Sequence, residues 1–463
     1  MQTFDLIVIG AGSGGLVAAE LAAKLGASVA LIEASDRLGG ECLHTGCVPS
    51  KALIQAARTM HQVKLGRKFG VIATPTLDYA QLTSHINASR KHIEKIHDND
   101  AYYQALGVTV VHGKAEFLND HTIQVGTATL RAKKFIIATG SKPAIPSIPG
   151  INDGEYLTNE SIFNLKQLPK SLVVIGGGPI GCELGQAFAM LGSEVTIIQS
   201  AKRILPRDEP AAAGKVAHSL KEMGVTVHAD STIQKITYGQ TASVELLGEI
   251  TIHAEKLLIA VGREAVLPLN LTKAGVQHDG HGITVNGRLQ SSNHDVYAIG
   301  DCNGGPQFTH AAAQQATIAV QNIFFGVRRA FSADTIPWTT FTTPEVAHFG
   351  RLKSELDTAN QHYQSVVADY THIDKATTEA EDGYIEVIIG SRSTILAATV
   401  VGHNAAEIIA QIRLAKDWKS VSKTLQAYPT YASGVWLAAG NDILERFNSS
   451  YAGRLARAYR RLQ

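Results

Sequence analysis

The chain has 463 residues, 45% of them apolar and 18% charged, with a formal net charge of +1. That length exceeds a single ordinary core and predicts about two to four domains, in a composition that is globular rather than disordered. Near-neutral charge gives no electrostatic ground for nucleic acid or an acidic partner, and no run approaches the roughly 18 to 20 apolar residues of a membrane span.

The first elements are a short strand, "DLIVIG", a turn carrying Gly10, Gly12 and Gly15, a helix, "LVAAELAAKLG", and a second strand, "SVALIE", ending in Glu33. In a strand–turn–helix–strand unit the glycines serve a tight turn, close approach of a pyrophosphate, and helix-to-strand packing. The helix N-terminus faces the phosphates. Glu33 stands where a carboxylate accepts from ribose hydroxyls, so dinucleotide binding is expected. The apolar start has no basic n-region and runs into this turn, which is unlike a signal peptide.

Next comes "GGECLHTGCVPSKAL", Gly39 to Leu53, which holds Cys42 and Cys47, two of the chain's four cysteines. A metal site, a cross-link, a redox couple and inert thiols are all open at this point. In a regular helix residues five apart point about 140° away from each other, so a bridge needs a local distortion, which Gly46 and Pro49 permit. A metal needs more ligands. Only Glu41 and His44 are near, and the paired cysteine spacing of zinc sites is absent. Four scattered cysteines do not make a secreted disulfide framework, and a reducing, cytoplasmic setting is expected.

After the buried strand of "KKFIIATGSKPAIP" the first pattern returns in "SLVVIGGGPIGCELGQAFAMLGSEVTIIQS", with Gly176, Gly178 and Gly181 in corresponding places. Two such units suggest two dinucleotides, a flavin that stays and a nicotinamide that comes and goes. The second unit ends in Gln199 and Ser200, with Lys202 and Arg203 beyond. Loss of the carboxylate removes its repulsion of a 2′-phosphate, so NADPH is favoured over NADH, although the basic pair also reads as a solvated loop. "KLLIAVGRE" supplies another strand and glycine turn, and "HDVYAIGDCNGG" places Asp301 after a strand, as a sugar-hydroxyl acceptor or as a turn aspartate. Cys182 and Cys302 read as buried core thiols.

The first glycine unit with Glu33, the C-x4-C-V-P-S-K segment, "ATGSKP", the second glycine unit, "AIGDC" and the late "FTTPEVAHFG" occur in an order that resembles the pyridine nucleotide-disulfide oxidoreductases, the family of glutathione reductase, dihydrolipoamide dehydrogenase and mercuric ion reductase. The likeness covers almost the whole chain. It implies an α/β fold of two Rossmann-like dinucleotide-binding domains, for FAD and NAD(P), plus a C-terminal α+β dimerisation domain. By this resemblance residues 1–148 and 269–333 form the FAD-binding and central domain, 149–268 the NAD(P) domain and 336–463 the interface of a homodimer.

The same resemblance makes Cys42 and Cys47 a redox disulfide, with Cys47 over the flavin and Cys42 the outer, interchange thiol. Lowered thiolate pKa values are expected from a helix N-terminus and a nearby cation. Lys51 falls on the flavin-contacting lysine and Glu183 on its glutamate partner. Gly40, Ala115, Thr139, Gly140, Asp301 and Thr309 join Gly10, Gly12, Gly15 and Glu33 among the cofactor-binding residues, and Gly262 joins Gly176, Gly178, Gly181 and Gln199.

Departures from the family pattern bear on the acceptor. Where its disulfide reductases carry a His-Pro-Thr, with a glutamate five residues after the histidine, this chain reads "LQAYPTYASGVW". Tyr428 replaces the histidine and Ser433 the glutamate. With an ordinary pKa of about 10, against about 6.5 for histidine, tyrosine is a poor proton shuttle at neutral pH. Mercuric reductases likewise have tyrosine in this region, yet "RAYRRLQ" lacks the cysteine pair with which they take in their metal, which argues against full mercuric reductase activity. Pro179 stands where many relatives have a tyrosine covering the flavin, suggesting an easier approach for a planar molecule. His310 falls at the flavin pyrimidine and reads as a structural histidine rather than a proton donor.

"NSSYAGRLARAYRRLQ" carries Arg454, Arg457, Arg460 and Arg461 and no acid, and as a helix sets Leu455, Ala458, Tyr459 and Leu462 on one side. A solvated helix packed on its own dimer is expected, ahead of a partner or membrane-surface contact. The expected function is transfer of electrons from NAD(P)H through FAD and the dithiol to a small non-thiol acceptor, a soft metal ion or a quinone. The alternatives are an orthodox disulfide reductase with a substitute acid and a redox-sensing binding protein.

Overall fold

The computed structural model describes residues 2–268 and 270–461. Leu462, and Leu269 at the expected resumption of the flavin segment, lie outside them. The fold is mixed α/β, and the chain forms two units, Met1–Ser200 with Ser231–Ala333, and Ala201–Asp230 with Asp334–Gln463.

In the first unit β1 (Gln2–Ile9) lies at the centre of a sheet, flanked in parallel by β2 (Val29–Glu33) and by strand Ala128–Ile137. Its apolar run is explained by burial on both sides: Leu6, Ile7 and Val8 are all fully buried. Leu6 and Val8 face a core that includes Ala18, Ala19 and Ala316, whereas Ile7 and Ile9 face Phe117, Ile123 and Phe135. Thr109–His112 extends the sheet beyond β2, Val296–Ala298 pairs with the end of Ala128–Ile137, and the antiparallel strands Ala115–Asn119 and Thr122–Val125 complete it. Helix α1 (Ser13–Lys24) carries alanines and glycines on its buried side, which lets it lie close to helix Thr309–Phe325.

A second parallel set, Lys256–Ile259, Ser171–Ile175 and Glu194–Ile198, is crossed by helix Pro179–Leu191. An antiparallel sheet of Ile233–Tyr238, Ala242–Leu246 and Thr251–Ala254 shares its core. The chain passes between the two parallel sheets at Ser141–Pro143 and again at Arg263–Ala265, and those two strands pair antiparallel.

The second unit centres on an antiparallel sheet ordered Trp338–Thr340, Glu345–Gly350, Ile395–Gly402, Tyr384–Ile389 and Gln364–Asp369. Helices Ala405–Leu414, Trp418–Lys423 and Ser433–Ser449 close one core around Trp418, whose indole donates to the buried Asp442 carboxylate at 2.9 Å. Residues 201–230 group here and not with the rest of 149–268. Polar contacts explain the grouping: the Trp338 indole donates to Asp208 at 2.9 Å, and the Lys353 amide to Glu209 at 2.7 Å. Among the described residues no helix is long and apolar enough to cross a membrane.

His348 is buried in this sheet, with its ring centroid 4.5 Å from that of Trp338. Nε2–H donates to the Gly350 carbonyl at 3.2 Å, and Nδ1 lies 2.8 Å from the Thr399 hydroxyl, which is able to donate to a neutral ring. Burial pulls its pKa down to about 4. As pH falls from about 6.5 toward that value the unfolded chain takes up a proton that the folded one refuses, so stability drops over this window. In chemical denaturation the His348→Gln variant should lose less stability than the parent over the same pH range; equal slopes would contradict the assignment.

Candidate active site

The turn after β1 is compressed. Gly10 has φ +103°, and a Cβ on Gly15 would stand 1.8 Å from the Gly10 carbonyl oxygen, so only glycine fits. Glu33, at the end of β2, turns one carboxylate oxygen to the Ala11 amide at 2.8 Å and the other to the Ser35 amide at 2.9 Å. Gly40 opens the short helix α2 (Gly40–His44), and its Cβ would fall 2.6 Å from Gly12 Cα. The dinucleotide turn and the cysteine segment are therefore in backbone contact.

Cys42 lies in α2, whereas Cys47 is the first residue of helix α3 (Cys47–Leu65), which carries Lys51 one turn further on. Thr45, Gly46 and the break between the two helices supply the distortion that a regular helix denies. Both cysteines are free thiols, close enough that each sets the acidity of the other. That coupling makes them unequal. Cys47 is pulled down to about 6, first by the Cys42 thiol and then, against burial, by the Thr309 hydroxyl and the Lys51 charge. Cys42 is pushed up by the Cys47 thiolate and by burial. The Thr309 hydroxyl, at the start of its helix, is 3.6 Å from Cys47 Sγ, and Lys51 Nζ donates to the buried Glu183 carboxylate at 2.8 Å.

A polar network missed in the sequence stands beside the thiols. Glu41 accepts from Asn159 Nδ2 at 2.7 Å and is ion-paired with the Arg263 guanidinium. Arg263 Nε donates to Ser141 Oγ at 2.8 Å and lies 3.9 Å from Asp301, to which the Ser141 hydroxyl also donates. Burial pushes Glu41 up to about 7, with the Arg263 charge opposing and the Asp301 and Cys47 charges adding. The one available signal was an acid next to Cys42, which sequence reasoning weighed only as a metal ligand. Among the described residues no His, Cys, Asp and Glu cluster suits a metal ion.

The second glycine turn repeats the first: Gly176 has φ +111°, and a Cβ on Gly181 would stand 1.9 Å from its carbonyl oxygen. A Cβ on Gly178 would meet nothing within 4 Å. Pro179 occupies the first turn of the following helix, where its missing N–H costs nothing. Gln199 turns its Oε1 toward the Gly177 amide at 3.4 Å, the counterpart of Glu33 and Ala11. Arg203 differs from expectation: its guanidinium donates to the carbonyls of Pro206 at 3.1 Å and Asp208 at 2.7 Å, as well as Leu205, so it closes its own loop. Lys202 is exposed.

Ala115 is buried at the start of its strand. The Thr139 hydroxyl donates to the Val266 carbonyl, the Gly140 carbonyl accepts from the Val266 amide at 2.9 Å, and the Gly262 carbonyl from the Ala144 amide at 2.9 Å. These three residues thus secure the two crossings between the parallel sheets. His310 is exposed at a helix start with its ring stacked on Phe308, so it is not a core histidine. Cys182 and Cys302 are fully buried, and burial pushes Cys302 up to about 11. In the second unit the Tyr428 hydroxyl donates to Asp374 at 2.6 Å, a bond that raises its pKa above the ordinary tyrosine value, and the buried Ser433 donates to the Thr430 carbonyl at 2.6 Å.

Two glycine turns of one pattern, with two thiols against the first, belong with the class of FAD-dependent oxidoreductases that use a pyridine nucleotide. The chain belongs to the pyridine nucleotide-disulphide oxidoreductases: that family's model matches residues 4–316, and the model of its dimerisation domain matches 336–439. The family joins FAD to a pyridine nucleotide. The chain is 34% identical to the mercuric reductase of Staphylococcus aureus, over 94% of this chain and 82% of that one. It is 32% identical to the dihydrolipoyl dehydrogenase of Halobacterium salinarum, over 94% and 95%. Among solved structures, the Cu(II) complex of the HOCl-induced flavoprotein disulfide reductase RclA from Escherichia coli matches with TM-score 0.85 and 25% identity, covering 95% of this chain and 99% of that one.

The unequal thiols give a spectroscopic test. In the two-electron-reduced, FAD-loaded protein, the long-wavelength band between the Cys47 thiolate and flavin should disappear as pH falls through about 6. Cys47→Ser should abolish the band at every pH. Cys42→Ala should show it without reduction, from the lone Cys47 thiolate against oxidised flavin, but with its loss moved to higher pH, because the stabilising thiol donor is gone. Glu41→Gln should leave the midpoint nearly in place, since burial keeps Glu41 mostly neutral where Cys47 titrates. A midpoint that stays put when the Cys42 thiol is removed would refute this electrostatic account.

Proposed function

We propose that the chain is an FAD-dependent NAD(P)H oxidoreductase with a redox-active Cys42–Cys47 pair, passing electron pairs to a non-thiol acceptor, a soft metal ion or a quinone. The observation that carries the choice of acceptor is Tyr428, whose hydroxyl is engaged by Asp374 and held above its ordinary pKa. It is a poor acid for a departing thiol at neutral pH, and Ser433 adds no carboxylate. A mercuric reductase among the relatives and the Cu(II) complex of a structural neighbour support a metal ion as acceptor.

The site fits a flavin dinucleotide: Gly10, Gly15 and Gly40 let the turn pack backbone against backbone, a Cβ on Gly12 would meet only Gly40 Cα at 3.9 Å, and Glu33 and Asp301 offer carboxylates for sugar hydroxyls. When bound, FAD supplies the two-electron relay between nicotinamide and disulfide. Lys51, held by Glu183, brings a cation to that relay and to Cys47. Overall, NADPH, a proton and the disulfide give NADP⁺ and the dithiol. The dithiol then returns to the disulfide by giving two electrons to the acceptor and two protons to solvent, with Cys42 as the outer thiol. The three-domain division, a homodimer through 336–463 and a cytoplasmic setting complete the reading.

NADPH is the preferred donor in this reading, on the strength of Gln199 and Lys202. Gln199→Glu should shift the ratio of kcat/KM values toward NADH by repelling the 2′-phosphate; an unchanged ratio would place the discrimination elsewhere.

The acceptor is tested with mercuric ion, cupric ion, small quinones, lipoamide and glutathione disulfide. Tyr428→Phe should lower turnover of the best non-disulfide acceptor only modestly, and Tyr428→His with Ser433→Glu should raise disulfide reduction, where a well-placed acid is worth roughly a hundred- to ten-thousand-fold. Family-normal disulfide reduction by the parent, destroyed by Tyr428→Phe, would overturn the proposal.

A further inference from the structure

Helix Tyr451–Arg460 has no part in the chemistry above. Its N-terminus is capped by Ser450, whose hydroxyl oxygen accepts from the Gly453 amide at 3.1 Å, and Gly453 is the one residue of the helix that is buried. A Cβ there would stand 2.0 Å from the Phe447 carbonyl oxygen, so the helix doubles back on the preceding one through a contact that only glycine allows.

At about 100° per residue, the arc from Ala458 through Tyr451, Leu455 and Tyr459 to Ala456 is apolar. The opposite arc holds Arg460, Gly453, Arg457 and Arg454, with Arg461 following. The helix thus touches its own chain from the arginine side. Its apolar side is bare: Tyr451 is 72% exposed, Leu455 52% and Tyr459 65%. Leu444 and Phe447, just before it, are exposed as well.

From Asn448 onward the sequence has four arginines and no acid, and among the described residues none of the four enters an ion pair. A two-fold contact of this helix with its own copy would bring together two cationic segments without a carboxylate on either. The dimerisation-domain match ends at residue 439, before the helix begins. Segregated arginine and apolar arcs on an exposed helix suit the plane of an anionic bilayer surface, where the apolar side enters the headgroup boundary and each arginine gains from the surface potential.

We propose that helix Tyr451–Arg460 docks the protein reversibly on anionic phospholipid membranes, with Tyr451, Leu455 and Tyr459 inserted and the arginines on lipid phosphates. This docking is independent of the acceptor assignment.

The test is co-sedimentation of the FAD-loaded full chain with vesicles of phosphatidylcholine alone and of phosphatidylcholine mixed with phosphatidylglycerol. Binding is expected only to the mixed vesicles, with loss on raising salt from about 0.1 M to about 1 M, where screening shortens from about 10 Å to about 3 Å. Arg454→Glu with Arg457→Glu should weaken binding by roughly tenfold or more. Leu455→Asp should do the same, while both variants keep NAD(P)H turnover with a soluble acceptor and their sedimentation velocity. Equal binding to neutral vesicles, parent-like binding by either variant, or no binding at all overturns the proposal. So does a change of oligomeric state in the variants, which would give the face to a second copy.

Discussion

One backbone contact, Gly40 against Gly12, joins the dinucleotide turn to the dithiol. Because neither residue has a Cβ, α2 can start against the glycine loop, and the Gly39 amide donates to the Ala11 carbonyl at 3.0 Å. Ala11 is also the residue whose amide Glu33 binds. The Glu33 carboxylate, the first glycine turn and Cys42 are therefore fixed to one another through main-chain amides and carbonyls. Side-chain flexibility has little say in where the first thiol stands.

Charge then differentiates what the backbone has placed. Two neighbouring thiols cannot ionise equally, and the second helix decides between them: Cys47 begins α3 and has the Lys51 charge one turn on, whereas Cys42, which shares the Thr309 hydroxyl, is pushed up by the Cys47 thiolate and by burial. Glu41 and Glu183 work against the thiolate, and Arg263 and Lys51 hold those carboxylates. The balance falls near neutrality because each carboxylate is paired.

Local pattern made much of this legible. Both glycine turns, their strands and the placement of Glu33 and Gln199 follow from short runs in which burial on two faces demands apolar residues and a turn demands glycine. Lys51 and Glu183 were paired through family resemblance, not from the run of residues between them. Glu41 and Arg263 are separated by 222 positions and meet because two strands far apart in the chain form one ribbon, which no local periodicity encodes. Arg203 was open to two readings because a basic pair after a strand looks alike whether it meets a phosphate or satisfies the carbonyls of its own loop. Residues 201–230 were placed with the rest of 149–268, but which neighbour covers them depends on Trp338 and Lys353, more than a hundred positions away.

The paired strands Ser141–Pro143 and Arg263–Ala265 also have a mechanical meaning. They carry the chain into the second parallel sheet and back, and as a two-stranded strap they bend or twist together. Arg263 is rooted in that strap while its guanidinium grips the carboxylate next to Cys42. A nucleotide that tugs on the second sheet would load the strap, and the load would be felt at a charge beside the thiols. Torque on one half of the unit would thereby be transduced into acidity in the other.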